Sequence, residues 1–447
     1  MRFATLLLLL LAQLALGADP GWKAGASKAV ITPKVEMWMA GYAARNKPAE
    51  GTAQDLYAKA LALEDSHGQR FVFVTLDLIG VPRSLRTALE KRLAEARLLA
   101  PEGLLLNVSH THCGPEFRVD AKPGIFAEFG DARQAEAYGA FLEETLFTLI
   151  KSALDQLAPA GLSYHHARCG FAMNRRLPVE NTFRNAPYPD GPVDQDVPVL
   201  RVTGADGKLR AVMFGYACHN TTLQFYQWCG DYAGFAQEYL EASHPEAIAL
   251  FVEGCGGDQN PYPRGKIELA QFHGRALALA VESALATPPA AITGPLRSTL
   301  GDVTIDFAPL PSREEFETRT RSTDKYIASH AKRLLDRLDK GETLPTSYPY
   351  PVQVVRIGDG LTFIGLAGEA VVDYSLRLKR ELAGSPVWVA GYCNDVMAYI
   401  PSRRVLEEGG YEGGDSMRFS TLPGPWAPSI EERIVDQVHK LLKTVGQ

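Results

Sequence analysis

Cysteine is scarce in this chain, and closely spaced cysteine pairs are absent. Cys113, Cys169, Cys218, Cys229, Cys255 and Cys393 are the 6 in 447 residues, with no Cys-x-x-Cys spacing. This excludes the paired thiols of a redox motif or a zinc ribbon. Basic charge is not in excess either. The formal net charge is −6 and is spread along the chain, so nothing here attracts a nucleic-acid backbone or an anionic lipid surface. After residue 17 no apolar run reaches the roughly 20 residues that span a bilayer, and neither a repeat nor a low-complexity linker interrupts the chain.

What is present begins with Met1-Arg2, an apolar run from Leu6 to Leu16 and the small residues Ala15 and Gly17. This is the layout of a secretory signal peptide over residues 1–17, with cleavage near Ala18. The mature protein is expected to be secreted or periplasmic, with no transmembrane segment. The 46% apolar content is that of a folded globular protein, and residues 18–447 are expected to form a single domain.

Strand-like and helix-like pieces alternate. Gly25 to Ile31, Tyr57 to Glu64, Phe71 to Leu78 and Leu104 to Val108 suit strands. Ser84 to Leu98 carries Leu85, Leu89 and Leu93 at helical spacing, and Gln134 to Leu154 carries Leu142, Leu146, Leu149 and Ile150. Leu162 to Ala167 and Val197 to Val202 flank an expected irregular loop holding Asn174-Arg175-Arg176. Further strands are expected at Ala211 to Ala217, Ala247 to Val252 and Val387 to Ala390, with helices at Gly234 to Ala242 and Lys266 to Leu285. The charged run Ser312 to Lys340 predicts one solvated helix with Phe316, Tyr326, Ile327 and Leu334 inward. Gly358-Asp359-Gly360 predicts a hairpin turn, and Ser429-Ile430-Glu431-Glu432 a capping box opening the last helix. The expected class is α/β, mixed α+β.

Polar residues recur where apolar strands end. His110 and His112, two apart in Asn107-Val-Ser-His-Thr-His-Cys-Gly-Pro115, project to one face of an extended chain. His219 follows Ala211 to Ala217, Glu369 follows Phe363 to Leu366, and Asn394 to Tyr399 follow Val387 to Ala390. A Gly-rich stretch, Glu253 to Pro261, follows Ala247 to Val252, and such turns let backbone approach a substrate closely. Strand ends distant in sequence meet at one edge of a sheet in α/β architectures, the usual place of an active site. Imidazole and carboxylate are zinc ligands, and a catalytic zinc takes about three protein ligands and an open position. Taken singly, His219 reads as well as a satisfied core histidine, Glu369 as a hairpin carboxylate and Arg175 as half of an ion pair. Cys113, Cys218 and Cys255, near these residues, are expected to be small buried hydrophobes.

The ordered set His110-Thr111-His112-Cys113-Gly114-Pro115, Asn174-Arg175, Ala217-Cys218-His219, Gly257-Asp258 with Asn260-Pro261, Gly368-Glu369, and Tyr399 with Tyr411 resembles the neutral ceramidase family of secreted zinc amidases. The resemblance runs from about Gly25 to Leu442. It implies a ceramidase-like catalytic domain whose strand-end loops form a zinc site, with Zn2+ held by His110, His219, Glu369 and Tyr399. By the same carry-over His112, Arg175 and Tyr411 face the head of a small or lipid-like N-acyl substrate. In the family the Gly-Asp loop carries a catalytically important serine, and Gln259 is read in its place. A Gln amide cannot be a nucleophile but can donate to an oxyanion. Asp258 is expected to orient the loop or act as a base, and Asp231 to accept from an imidazole N–H. The family's C-terminal immunoglobulin-like domain is expected to be missing, since Gln447 follows soon after the expected last helix.

The function expected is zinc-dependent hydrolysis of an N-acyl amide, with zinc-activated water attacking the carbonyl. Zinc lowers the pKa of bound water by roughly nine units, whereas a positioned acid or base contributes about 10²- to 10⁴-fold, so losing the serine need not abolish hydrolysis. A zinc esterase or lactonase and a non-catalytic secreted binding protein are the alternatives.

Overall fold

The computed structural model describes residues 21–119, 131–180 and 182–446; the expected signal peptide at 1–17 and its cleavage near Ala18 lie outside them. Alternation along the strands decides the layering. In Tyr57–Asp65, Ala58, Ala60 and Ala62 enter one core while Leu61 and Leu63 enter another. In Arg70–Leu76, Val72 and Val74 join the first and Phe71 and Phe73 the second. Both faces of this sheet are therefore apolar and both must be covered.

The main sheet has nine strands. Eight lie in the order Ile248–Glu253, Leu209–Tyr216, Asp196–Gly204, Ala158–Arg168, Trp22–Val30, Tyr57–Asp65, Arg70–Leu76, Leu104–Val108, with Ala290–Ala291 added beside Ala158–Arg168. Only the two outermost pairs of that series are parallel. A second sheet orders Leu296–Asp306, Ser347–Ile357, Leu361–Leu366 and Val387–Ala390. The two pack face to face through Phe73, Phe363 and Trp388, whose neighbouring rings lie 5.1 and 5.5 Å apart. Helices Arg83–Glu95 and Ala132–Asp155 cover one half of the main sheet's outer face, and Asp231–Ser243 with Ile267–Leu285 the other half. Val372–Glu381 and Ile430–Thr444 cover the second sheet. The result is a four-layer helix–sheet–sheet–helix sandwich of mixed α/β class. Among the described residues no helix is long and apolar enough to cross a membrane.

Three expectations are corrected. The irregular loop around Asn174 is a hairpin, Ala172–Val179 and Thr182–Tyr188, joined by Gln259–Pro261 into a third sheet. Its strands bury Asn174, Arg175 and Arg176 and, of apolar residues, only Ala172, so they carry little hydrophobic signal. The run Ser312 to Lys340 is two helices, Arg313–Arg319 and Lys325–Asp339, each with its own start: a capping box from Ser312 to Glu315, and Asp324 accepting from the Tyr326 N–H. The last helix does begin at Ile430, but Ser429 makes no side-chain cap. Arg377 and the Arg403 N–H engage Glu431, and Arg377 also engages Glu432. The hairpin turn at Gly358 stands as expected, with φ of 53° and no room for a Cβ, which would sit 2.0 Å from the Thr293 carbonyl oxygen.

One side chain closes the fold beneath the polar strand ends. Asn107, fully buried, accepts from the Glu253 N–H at 2.9 Å and donates to the Gly391 carbonyl at 2.8 Å. It thus ties the two edge strands of the main sheet to the end of Val387–Ala390 in the second sheet. Asn107→Ala leaves a buried N–H and a buried carbonyl without this partner, at about 1–3 kcal/mol for each. The urea midpoint is expected to fall accordingly, and an unchanged midpoint would show that Asn107 is not the tie.

Candidate active site

Five side chains from four separate stretches of the sequence meet at the end of the sandwich that Asn107 closes. His110 follows Leu104–Val108, His219 follows Leu209–Tyr216, and Glu369 follows Leu361–Leu366. Glu369 is paired in parallel with Tyr399. Gly368 permits that approach: its φ is 65°, and a Cβ there would lie 2.6 Å from Ile400 and 2.7 Å from the Ala398 carbonyl oxygen. His112 is held from below by Arg45, which donates to its carbonyl at 2.7 Å. Gly41, where a Cβ would meet the imidazole at 2.5 Å, packs directly against its ring.

Hydrogen bonds on the outer ring nitrogens fix the imidazoles. His110 donates from Nδ1 to the Ile79 carbonyl at 2.5 Å, and His219 from Nδ1 to Gly256 at 2.7 Å. Each neutral ring then carries its lone pair on Nε2. Those two Nε2 atoms lie 3.2 and 3.3 Å from one oxygen of Glu369, Oε2, which is buried and has no hydrogen-bond partner. His112 Nε2 lies 3.2 Å from that of His110, and the ligand nitrogens of His110, His112 and His219 fall within 4.8 Å of one another. His112 can relieve one of these contacts by donating from Nε2. Among the described residues no donor hydrogen-bonds the carboxylate oxygen facing the His110 lone pair. Burial, then Arg175, pushes His219 down to about 3, and burial with the neighbouring imidazoles pushes His112 down as well, which keeps both in the neutral form that binds metal. Three imidazoles, a carboxylate and a phenol are a donor set suited to zinc.

Tyr399 completes the cluster from the other side. Its hydroxyl lies 3.0 Å from His219 Nε2 and accepts from Arg175 Nη2 at 3.0 Å. Arg175 also donates from Nε to Glu412 at 2.8 Å and from Nη1 to Asn260 at 3.2 Å. The guanidinium is buried, and it positions Tyr399 instead of facing a substrate head as expected. Tyr411 stacks edge-on to Tyr399 with centroids 5.3 Å apart. His112, Glu369 and Tyr411 are the half-buried members, whereas His110, His219, Tyr399 and Arg175 lie beneath them.

The family profile for neutral/alkaline non-lysosomal ceramidase, N-terminal, matches residues 22–302. The chain belongs to this ceramidase family. Among solved structures it is similar to neutral ceramidase from Pseudomonas aeruginosa, at 22% identity and a TM-score of 0.73, over 95% of this chain and 74% of that one. It is also similar to a ceramidase complexed with C2, at 21% identity and a TM-score of 0.72, over 94% of this chain and 76% of that one. No curated protein matches it.

Within this ceramidase-family site, two expected roles move. Gln259 does not reach the cluster. Its amide donates to the Ala217 and Cys255 carbonyls, at 2.6 and 3.5 Å, and accepts from the Asp194 N–H at 2.9 Å. It pins the strand end that delivers His219. Strand alternation turns the next residue, Asn260, the other way, and Asn260 is the one that meets Arg175. Asp231 accepts from the Leu223 and Tyr232 N–H groups, at 2.8 and 2.6 Å; backbone carbonyls take the imidazole protons in its stead. Asp258 accepts from Val372 N–H and Asn174, at 2.8 and 3.1 Å, and burial pushes it up to about 6. Its hydrogen bonds orient the loop and none reaches the cluster. The six cysteines are unpaired buried thiols, with Cys113, Cys218 and Cys255 packed in three different cores.

Sequence reasoning passed over Tyr392, whose buried ring lies 4.6 Å from that of His110, and Glu412. The only signals were aromatic and acidic residues close to Asn394 and Tyr411. Because Gly368 sets where Glu369 stands, Gly368→Ala is expected to weaken zinc binding by about 10- to 100-fold, as displaced support of a metal site does. Chelator competition on the folded variant measures this, and unchanged affinity would mean that the loop absorbs the methyl.

Proposed function

We propose that this protein is an exported, zinc-dependent amidohydrolase of a linear N-acyl amide of the ceramide kind. Membership of the ceramidase family supports the amide, and the leader at residues 1–17 supports export. The observation that carries the metal is Glu369 Oε2, buried without a hydrogen-bond partner 3.2 Å from an imidazole lone pair. Zinc would be held by His110, His219, Glu369 and Tyr399, and when bound it supplies an activated water and a polarised carbonyl.

The chain's own residues do the rest. Arg175, braced by Glu412, holds the Tyr399 oxygen against His219. Burial raises the Tyr411 hydroxyl, which therefore stays protonated and can donate to the developing oxyanion. His112 is half-buried with Nδ1 unpartnered, and it is the imidazole placed to pass a proton to the departing amine. Gln259, read in the place of the family's serine, has a structural task and does not argue against activity.

Purified without added metal, the protein is expected to carry about one zinc per chain and to hydrolyse N-acyl sphingosines faster than matched O-acyl esters. Chelation is expected to abolish turnover and zinc to restore it. His219→Ala and Glu369→Ala are expected to lose more than about 100-fold in kcat/KM, beyond the loss typical of disturbed supporting residues. Full activity in metal-free protein would overturn the zinc assignment, and turnover of esters alone would overturn the amide.

A further inference from the structure

Tyr326 reaches from the helix pair Arg313–Arg319 and Lys325–Asp339 to two loops that border the metal-binding cluster. Its hydroxyl donates to the Ala43 carbonyl, next to Tyr42, whose ring lies 4.7 Å from that of His112. Its ring lies 4.9 Å from Phe419, which lies 6.2 Å from Tyr411. Tyr42, His112, Tyr326, Tyr411 and Phe419 are all half-buried, above the buried His110, His219 and Tyr399. These partly exposed aromatic rings border the buried polar cluster with apolar surface.

The wall that Tyr326 provides is independent of the sheets that deliver the zinc-binding side chains. The helix pair has a small core of its own, Phe316, Ala331, Leu334 and Leu344. Besides Tyr326, it is tied to the site's side of the molecule by Arg418 to Asp324 and by His330 to the Leu422 carbonyl, both at 2.7 Å.

The geometry points to Tyr326, with Phe419, as the residue that determines acyl-chain specificity: the two rings wall an entrance so that an unbranched apolar chain passes and a branched one is turned away. This rests on the amidohydrolase assignment above. Misfit of a single methylene-sized group in an apolar pocket changes kcat/KM by about 10- to 200-fold.

The test compares an N-hexanoyl sphingosine with its tert-butylacetyl isomer on zinc-loaded protein. The native enzyme is expected to prefer the linear acyl group, and Tyr326→Ala to reduce that preference by about tenfold or more, with the zinc content unchanged. Phe419→Ala removes the opposite part of the wall and is expected to act in the same direction, which keeps the test decisive should Tyr326→Ala fold poorly. Lys332→Ala, an exposed change on the same helix, is expected to leave the preference as it is. Native enzyme active on the amides, with the preference unmoved in both ring variants, overturns this inference alone. Native enzyme inactive on every amide overturns the amidohydrolase assignment and this inference with it.

Discussion

Lone pairs that face one another in a buried place are the constraint on which the rest of this molecule depends. The Ile79 and Gly256 carbonyls take the outer protons of His110 and His219, which leaves both Nε2 atoms as acceptors. They converge on a carboxylate oxygen that is itself an acceptor only. Acceptors that face one another are disfavoured, and two backbone hydrogen bonds hold them in that arrangement. Those bonds also orient the rings, the part that carboxylates play in many zinc sites. Carbonyls suffice here because the strand ends carrying Ile79 and Gly256 are fixed by the same sandwich.

Holding the convergence costs backbone strain. Among the described residues six non-glycine residues have positive φ, and four of them belong to the site or its supports: His110 at 57°, Asp231 at 54°, Tyr392 at 54° and Asn394 at 67°. A side chain in the left-handed region costs roughly 1–2 kcal/mol, less for Asn and Asp, whose side chains make local hydrogen bonds. Asn394 shows how the cost is offset. Its side chain accepts from Leu106 N–H and Arg86 at 3.0 and 2.8 Å and donates to Gln353 at 2.8 Å. The strand Leu104–Val108, which leads to His110, and the turn that follows Val387–Ala390 are thereby stitched together. Strain concentrated at a site and held by its surroundings is the usual mark of a preorganised one.

How much of this was legible in the sequence depended on what each segment buries. His110, His219 and Glu369 follow strands of leucine, valine and phenylalanine, so hydrophobic runs announced their positions, and the resemblance supplied Tyr399. The hairpin Ala172–Tyr188 buries arginine and asparagine, and its run of polar and proline residues read as a loop. Gln259 and Asn260 could not be told apart, because strand alternation decides which of two adjacent polar residues faces the site and the three-residue strand Gln259–Pro261 is too short to show a period. Asp231 failed for a different reason. A buried carboxylate satisfies the nearest backbone N–H groups first, and Asp231 is itself the first residue of its helix, beside the Tyr232 N–H.

The two halves of the site are held by different forces. The sandwich positions His110, His219 and Glu369 through apolar packing, which is strong but not directional. Tyr399 and Tyr411 owe their places to charge: Glu412 takes Arg175 and Arg176 on its two oxygens at 2.8 and 2.7 Å, and Arg176 also engages Glu408 at 3.1 Å. Buried ion pairs of this kind contribute little net stability, since desolvation offsets attraction, and serve geometry instead. That division suits the two tasks. Apolar packing brings the strand ends together without fixing how a side chain points, whereas the Tyr399 phenol must accept from one guanidinium while facing an imidazole, and directional hydrogen bonds set that orientation.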